Sequence, residues 1–216
     1  MRLFRTSCLL LAATIGLSAT AAEIQFTASM TNDQEPGTVV PTLADGTPRA
    51  VSFGTAKFVL NEAQTALTFS ASIFNIDVTG SQTPDLNDNL SAAHIHAGAN
   101  FPPANNPVVW GFFGNPFNNN NPADGTLVPF ASGVGGMFTG TWNLPEGNNT
   151  TLDLQIENLL AGRAYINFHT VQFPGGEIRG AILASSANTP EGGTTLVLLA
   201  GALLGLCAVR RVWMRG

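Results

Sequence analysis

Leu67-Thr68-Phe69-Ser70-Ala71-Ser72-Ile73 alternates strictly between apolar and polar residues. Successive side chains of a strand point to opposite faces, so this period of two predicts a half-buried β-strand. Comparable segments, bounded by Gly, Pro and Asn, are Ile24–Met30, Ser52–Leu60, Ser91–His96, Val108–Phe113, Met137–Leu144, Ala164–Val171 and Glu177–Leu183. About eight strands of this kind predict an all-β fold, a single antiparallel Greek-key β-sandwich or barrel.

One short helix is predicted between the strands Met137–Leu144 and Ala164–Val171. Leu152, Ile156, Leu159 and Leu160 share a helical face. Thr150 is suited to the N-cap, and Gly162 is suited to end the helix.

Charge is scarce in this chain. Of its 216 residues, 11% are charged and 44% are apolar, whereas soluble domains average about 25% charged residues. This composition excludes a disordered charged tail. Nucleic-acid binding is not expected either, because no basic stripe is present to displace counterions from phosphates.

Residues 1–22 have the pattern of a secretory signal peptide. Arg2 and Arg5 precede the apolar run Cys8–Leu17, and Ala19-Thr20-Ala21-Ala22 offers a small-residue cleavage site. A buried N-terminal helix is the alternative. We expect export, with signal peptidase as a processing partner.

Residues 188–216 have three parts. The turn-rich Asn188–Gly193 is followed by the uncharged Thr194–Val209 and then by Arg210, Arg211 and Arg215. This arrangement resembles the PEP-CTERM and VPDSG-CTERM sorting signals of Gram-negative bacteria. The resemblance implies recognition by an exosortase-like enzyme and delivery to the outer envelope or extracellular matrix. A C-terminal apolar helix retained as a membrane anchor is the alternative, although the segment is shorter than the roughly 20 residues of a full span.

The intervening residues 23–187 are predicted to form the folded domain. They hold four basic and 13 acidic residues, so their net charge is −9 against −5 for the whole chain. Cys8 and Cys207 both lie outside this range. We therefore expect an acidic domain without a disulfide.

The three histidines fall in two of the predicted strands. His94 and His96 are two residues apart and share a strand face, with Ile95 on the other face. In the second strand, Ile166 and Phe168 belong to the core, which leaves His169 on the opposite face together with Tyr165 and Asn167. If the strands are neighbours, the three imidazoles could bind Zn²⁺ or copper. The alternative is that they hold loops together by hydrogen bonds.

In the hairpin that follows His169, directly paired residues of the two antiparallel strands must lie on the same face of the sheet. We call this requirement the parity of the hairpin. For Ile178 to share the core face with Phe168, a three-residue loop must close Phe173 onto Glu177, with Gly176 in the left-handed conformation. Glu177 and Arg179 then join the face of His169. The Glu177 carboxylate could orient a ligand imidazole or pair with Arg179.

Three motifs resemble the CHRD domain, a family first named in chordin: Ala93-His94-Ile95-His96-Ala97-Gly98, Gly140-Thr141-Trp142-Asn143-Leu144, and Tyr165–Thr170 continued by Phe173–Gly180. The resemblance extends from about Ile24 to Leu183. It implies a binding or structural module, because animal members bind growth-factor ligands and bacterial members have no settled activity. The H-x-H strand also resembles the copper-site strand of Cu/Zn superoxide dismutase.

Asp85-Leu86-Asn87-Asp88-Asn89 has the opening spacing of a calcium loop. Leu90 stands where an EF-hand needs glycine, and His96 stands where it needs a bidentate glutamate, so the EF-hand interpretation fails. An irregular calcium loop and a solvated polar loop remain open.

The sequence therefore predicts an exported binding or structural protein of the bacterial envelope or matrix, with an extracellular protein or glycan partner and a metal site at His94, His96 and His169. No catalytic residue is identified, and we expect a non-enzyme. The alternative is a metal-dependent oxidoreductase resembling Cu/Zn superoxide dismutase, but a dinuclear site needs more imidazoles than this chain has.

Overall fold

A computed structural model describes residues 22–185, which form ten strands and one α-helix. The strands are β1 (Ile24–Thr31), β2 (Phe53–Leu60), β3 (Ala66–Phe74), β4 (Leu90–Ala97), β5 (Val108–Phe113), β6 (Thr126–Pro129), β7 (Gly135–Asn143), β8 (Ala164–Thr170), β9 (Ile178–Ala181) and β10 (Leu183–Ala184). The helix, α1, is Leu152–Leu160. Each strand predicted from alternation is present within a few residues of its expected bounds.

The strands form one antiparallel sheet that curls into a half-barrel. Its order is β5-β4-β8-β9-β1-β2-β3-β7-β6, and β10 pairs with β1 beside β9. The prediction of an all-β antiparallel fold is confirmed. The predicted number of about eight strands was too low, because β6 and β10 are too short for alternation to reveal. The predicted sandwich or barrel is, more specifically, a half-barrel with β5 and β6 as its edges.

The concave face of the sheet holds the apolar core. Its largest members are buried aromatic side chains: Phe26, Phe58, Phe69, Trp110, Phe112, Phe138, Trp142 and Phe168. The Trp110 and Trp142 rings stack at a centroid distance of 5.8 Å, and Phe112 meets Phe168 edge-on at 5.7 Å. These contacts bring the edge strand β5 over β7 and β8, which explains how the sheet curls without closing.

The predicted helix is confirmed, with one correction at its start. Leu152 and Leu159 are fully buried in the core. Thr151 is the N-cap instead of Thr150, and its hydroxyl bonds to the Asp153 side chain, not to the helix backbone. Gly162 follows the helix with φ +70°, as the predicted stop requires.

The gap between the two sheet edges is bridged by the aperiodic segment from Gly114 to Gly125. The carboxylate of the buried Glu146 accepts the backbone N–H groups of Asn120 and Asn121, both at 2.7 Å, and the indole N–H of Trp110 at 3.3 Å. One carboxylate on the β7–α1 connection thereby fixes the loop against β5.

The predicted signal peptide and C-terminal sorting segment fall almost wholly outside the described residues and stay predictions. Within residues 22–185, no helix combines the length and apolar character that crossing a membrane demands.

Candidate metal centre

The histidines lie on two hydrogen-bonded neighbours in the sheet, β4 and β8. The register pairs His94 with Asn167 and His96 with Tyr165. Ala93 and Ile95 alternate with the histidines and point into the core. The strands that carry the histidines are thus neighbours, which was the condition for a shared site. The prediction that the imidazoles point away from the core is confirmed.

The outer face that carries the histidines is nevertheless buried. His94, His96 and His169 are only 5%, 8% and 7% exposed, because the loops that follow β4, β5 and β8 cover them. The sequence analysis did not predict this cover, since the loops have no hydrophobic period to reveal where they pack.

Each imidazole bonds to a backbone carbonyl of one covering loop. His94 Nε2 lies 3.2 Å from the oxygen of Asn115, and His96 Nδ1 lies 2.9 Å from that of Asn106. His169 Nδ1 lies 3.0 Å from the oxygen of Pro174. A carbonyl oxygen can only accept, so each of these nitrogens carries the proton. The histidines therefore do hold loops together by hydrogen bonds, as the alternative interpretation of the sequence expected.

The assignment of those protons leaves one bare nitrogen on every neutral ring. They are Nδ1 of His94, Nε2 of His96 and Nε2 of His169. The rings are close together, because one nitrogen from each histidine lies within 4.8 Å of one nitrogen from each of the others. The Nε2 of His96 is buried without any hydrogen-bond partner. His94 Nδ1 and His169 Nε2 are 3.2 Å apart, so two lone pairs face each other with no proton between them.

Burial also keeps the imidazoles neutral. Desolvation lowers the pKa of His96 to about 4 and that of His169 to about 4, and it lowers the pKa of His94 as well. A proton shared between His94 and His169 would require one ring to be charged, which this environment disfavours. Neutral rings with convergent lone pairs are the form that binds metals.

The surroundings of His96 hold its ring in place. It stacks on Tyr165 at 4.7 Å with an interplanar angle of 8°. The Asn106 carbonyl accepts the hydrogen bond from His96 Nδ1. The backbone of Asn106 is anchored because its side-chain amide donates to the carbonyls of Asn100 and Arg163. A metal-binding histidine usually needs an outer hydrogen bond of this kind to set its tautomer and orientation.

The hairpin after His169 has the predicted parity but a different register. Phe168 pairs with Ile178, so the connection is longer than the predicted three-residue loop that closed Phe173 onto Glu177. Gly176 has φ +125°, as predicted. Because both registers have the same parity, Arg179 lies on the outer face as expected, with its guanidinium 4.4 Å from the Tyr165 ring centroid.

The predicted partners of Glu177 were wrong. Its buried carboxylate accepts hydrogen bonds from Arg49 at 2.6 Å, from the Thr170 hydroxyl at 2.6 Å and from Ser52. It orients no imidazole and does not pair with Arg179, which is bound instead by the buried Glu35. Both ion pairs cross more than 100 positions of sequence, and no local pattern pointed to them.

The Asp85–Asn89 segment uses its carboxylates for local structure. Asp85 accepts the backbone N–H groups of Ala44 and Asn87, each at 2.8 Å, and the buried Asp88 accepts the Thr83 hydroxyl at 2.9 Å. Nearby, Arg49 and Asp88 line a cavity of about 360 Å³ with apolar walls from Leu43 and Pro84. Within residues 22–185, the three histidines alone form a group of three or more side chains that could hold a metal ion.

Comparison with protein families matches residues 26–182 to the CHRD domain. The match spans most of the chain and includes all three histidines, so the protein belongs to the CHRD family. Comparisons with curated proteins and with solved structures find no match.

Proposed function

We propose that this CHRD-domain protein is an exported binding or structural protein of the bacterial envelope or extracellular matrix, and that His94, His96 and His169 bind one zinc or copper ion within it. CHRD membership supports the binding or structural role. The buried three-histidine group supports the metal site.

The contact between His94 and His169 carries the metal proposal. Two neutral imidazoles with their protons committed to carbonyls should not hold bare nitrogens 3.2 Å apart, unless a cation lies between them. Tetrahedral zinc with Zn–N bonds of about 2.0–2.1 Å sets its ligand nitrogens about 3.3 Å apart. One nitrogen of His96 lies within 4.8 Å of a nitrogen on each of the other two rings, so a small adjustment of the three side chains would complete the ligand set.

Such an ion would act chiefly as a cross-link. Each histidine is tied to a different loop, through Asn106, Asn115 and Pro174. An ion held by all three would fasten these loops to β4 and β8 at one point. This favours a structural role for the metal in a module that presents its surface to a partner.

Metal analysis of the exported protein tests this proposal. We expect about one zinc or copper per chain after chelation and reloading with either ion, and loss of that metal in a His94→Ala/His96→Ala/His169→Ala variant. Asp88→Asn is the matched control, because it alters another buried titratable side chain and should retain the metal. Absence of stoichiometric metal in the wild-type protein would refute the metal site.

The same metal-loaded protein distinguishes the binding or structural role from the oxidoreductase alternative. Three nitrogen ligands leave an open position on a tetrahedral ion, which is the observation that favours it. The metal-loaded protein is expected not to accelerate superoxide or peroxide decay above free metal. Turnover that disappears in the triple-histidine variant would favour the enzyme instead.

For location, we propose signal-peptide removal by signal peptidase, transient membrane insertion through the C-terminal segment, and its removal by an exosortase-like enzyme. The charge and apolar patterns of residues 1–22 and 188–216 support this route. Mass spectrometry of the mature protein should find no peptide beyond about Pro190. Recovery of Arg210-containing peptides from the mature form would favour a retained anchor.

The proposed partner is an extracellular protein or glycan. The cavity beside Arg49 supports a binding role, because the buried Nε of Arg49 has no partner and the carboxylate of Asp88 accepts only one hydroxyl. These groups could receive a polar group of the partner.

A further inference from the structure

Unpartnered polar atoms are concentrated beside the three histidines. Within the described part of the chain, six buried side-chain oxygen or nitrogen atoms lack a hydrogen-bond partner. Four of them belong to Asn167, Glu35 and His96. Buried polar groups are normally satisfied by protein or ordered water, so such a cluster calls for a bound species.

Asn167 lies at the centre of this cluster. In the sheet it pairs with His94 on one side and with Arg179 on the other. Along its own strand, Tyr165 and His169 are its neighbours on the same face. Asn167 is fully buried, yet neither its amide oxygen nor its amide nitrogen has a partner.

Gly176 brings its backbone against this amide. A Cβ atom on Gly176 would lie 2.5 Å from Glu35 Oε1 and 2.7 Å from Asn167 Nδ2, which is too close for a side chain. The two polar atoms are therefore no more than about 5 Å apart, close enough for one water molecule beside them to bond to both. We call the region bounded by Asn167, Glu35 and Gly176 the polar chamber.

We propose that the polar chamber holds water and that the Asn167 amide hydrogen-bonds the water, or another small ligand, at the open coordination position of the three-histidine metal. This inference rests on the proposed metal site. Three protein nitrogens leave one position of a tetrahedral ion to an exogenous ligand. Asn167 suits that ligand because its amide both donates and accepts hydrogen bonds, and because it stands directly across from His94.

An ion pair between Glu35 and Arg179 borders the polar chamber. The second carboxylate oxygen of Glu35 is bound by Arg179 Nε at 2.7 Å, whereas Oε1 is buried without a hydrogen-bond partner and can accept from the proposed water. Asn167 thus acts as a positioning residue between the metal ligand and an ion pair.

Azide binding to the Co²⁺-loaded protein tests the assignment. Azide replaces water on cobalt and changes the visible absorption spectrum, so its dissociation constant can be measured for each variant. We expect Asn167→Leu to keep about one Co²⁺ per chain while weakening azide binding at least tenfold, because the amide donor is lost. Unchanged azide affinity at full metal content would overturn the inference and leave the metal site standing.

Gly176→Ala provides a second route if Asn167→Leu does not fold. The added methyl would lie 2.5 Å from Glu35 Oε1 and 2.7 Å from Asn167 Nδ2 and would displace these groups, so we expect azide binding at least tenfold weaker. Gly175→Ala is the matched control in the same loop, because nothing lies within 4 Å of its Cβ position. Gly37→Ala controls for strain, since Gly37 has φ +142° and open space around it. Equal affinity in Gly176→Ala and Gly175→Ala would contradict the chamber, whereas a wild-type protein that binds no Co²⁺ would refute the metal site itself.

Discussion

Arg179→Met is expected to lower the free energy of unfolding by about 3–5 kcal/mol, the usual cost of breaking a buried ion pair from one side. Arg179 is 2% exposed, and its guanidinium binds Glu35, the carbonyl of Pro103 and the side chain of Asn105. Methionine preserves much of the volume, so the loss comes from the charge. The pKa of Glu35 is already raised by burial, and without Arg179 that carboxyl would have to take up a proton or remain charged without its ion-pair partner.

Urea unfolding of the metal-free protein measures this loss. A Glu35→Leu/Arg179→Met double variant is the control, because removing both charges leaves no uncompensated group. It should recover a large part of the lost stability. A single variant within about 1 kcal/mol of wild type would show that the pair is more solvated than the structure indicates.

The metal-free protein is expected to lose stability as the pH falls from about 6.5 to about 4. Burial depresses the pKa of both His96 and His169 to about 4 from the ordinary 6.5. Between these values the unfolded chain binds more protons than the folded one, so acidification favours unfolding. The stabilisation is complete above pH 6.5, and each histidine accounts for a loss of roughly 3 kcal/mol across the window.

A comparison of variants isolates the histidine contribution to this pH dependence. The pKa values of Glu35 and Asp88 are raised by burial, which gives the opposite slope at acidic pH, but these groups are common to all variants. His96→Gln/His169→Gln should therefore flatten the curve between pH 4 and 6.5. Parallel curves for wild type and variant would mean that the two imidazoles are readily protonated in the folded protein.

Much of the sheet could be predicted because its strands are half-buried and therefore alternate. The run from Leu67 to Ile73 became the centre of β3, and the parity argument correctly placed Arg179 on the face of His169. The alternation of apolar and polar residues predicts these features, because the face that a residue occupies depends on its position along the strand.

The environment of the histidines could not be predicted in the same way. Their carbonyl partners lie in aperiodic loops, and the partners of Arg179 and Glu177 are Glu35 and Arg49, 144 and 128 residues away in sequence. A long-range ion pair leaves no local period. The sequence offered one indirect signal. The domain has only four basic residues, and two of them, Arg49 and Arg179, form ion pairs with buried acidic side chains.

Anomalous diffraction from zinc-loaded crystals tests the central claim most directly. Data collected on both sides of the zinc absorption edge should give one peak per chain, about 2.0–2.1 Å from His94 Nδ1, His96 Nε2 and His169 Nε2. A peak on other residues, or no peak in crystals grown with excess zinc, would contradict the account.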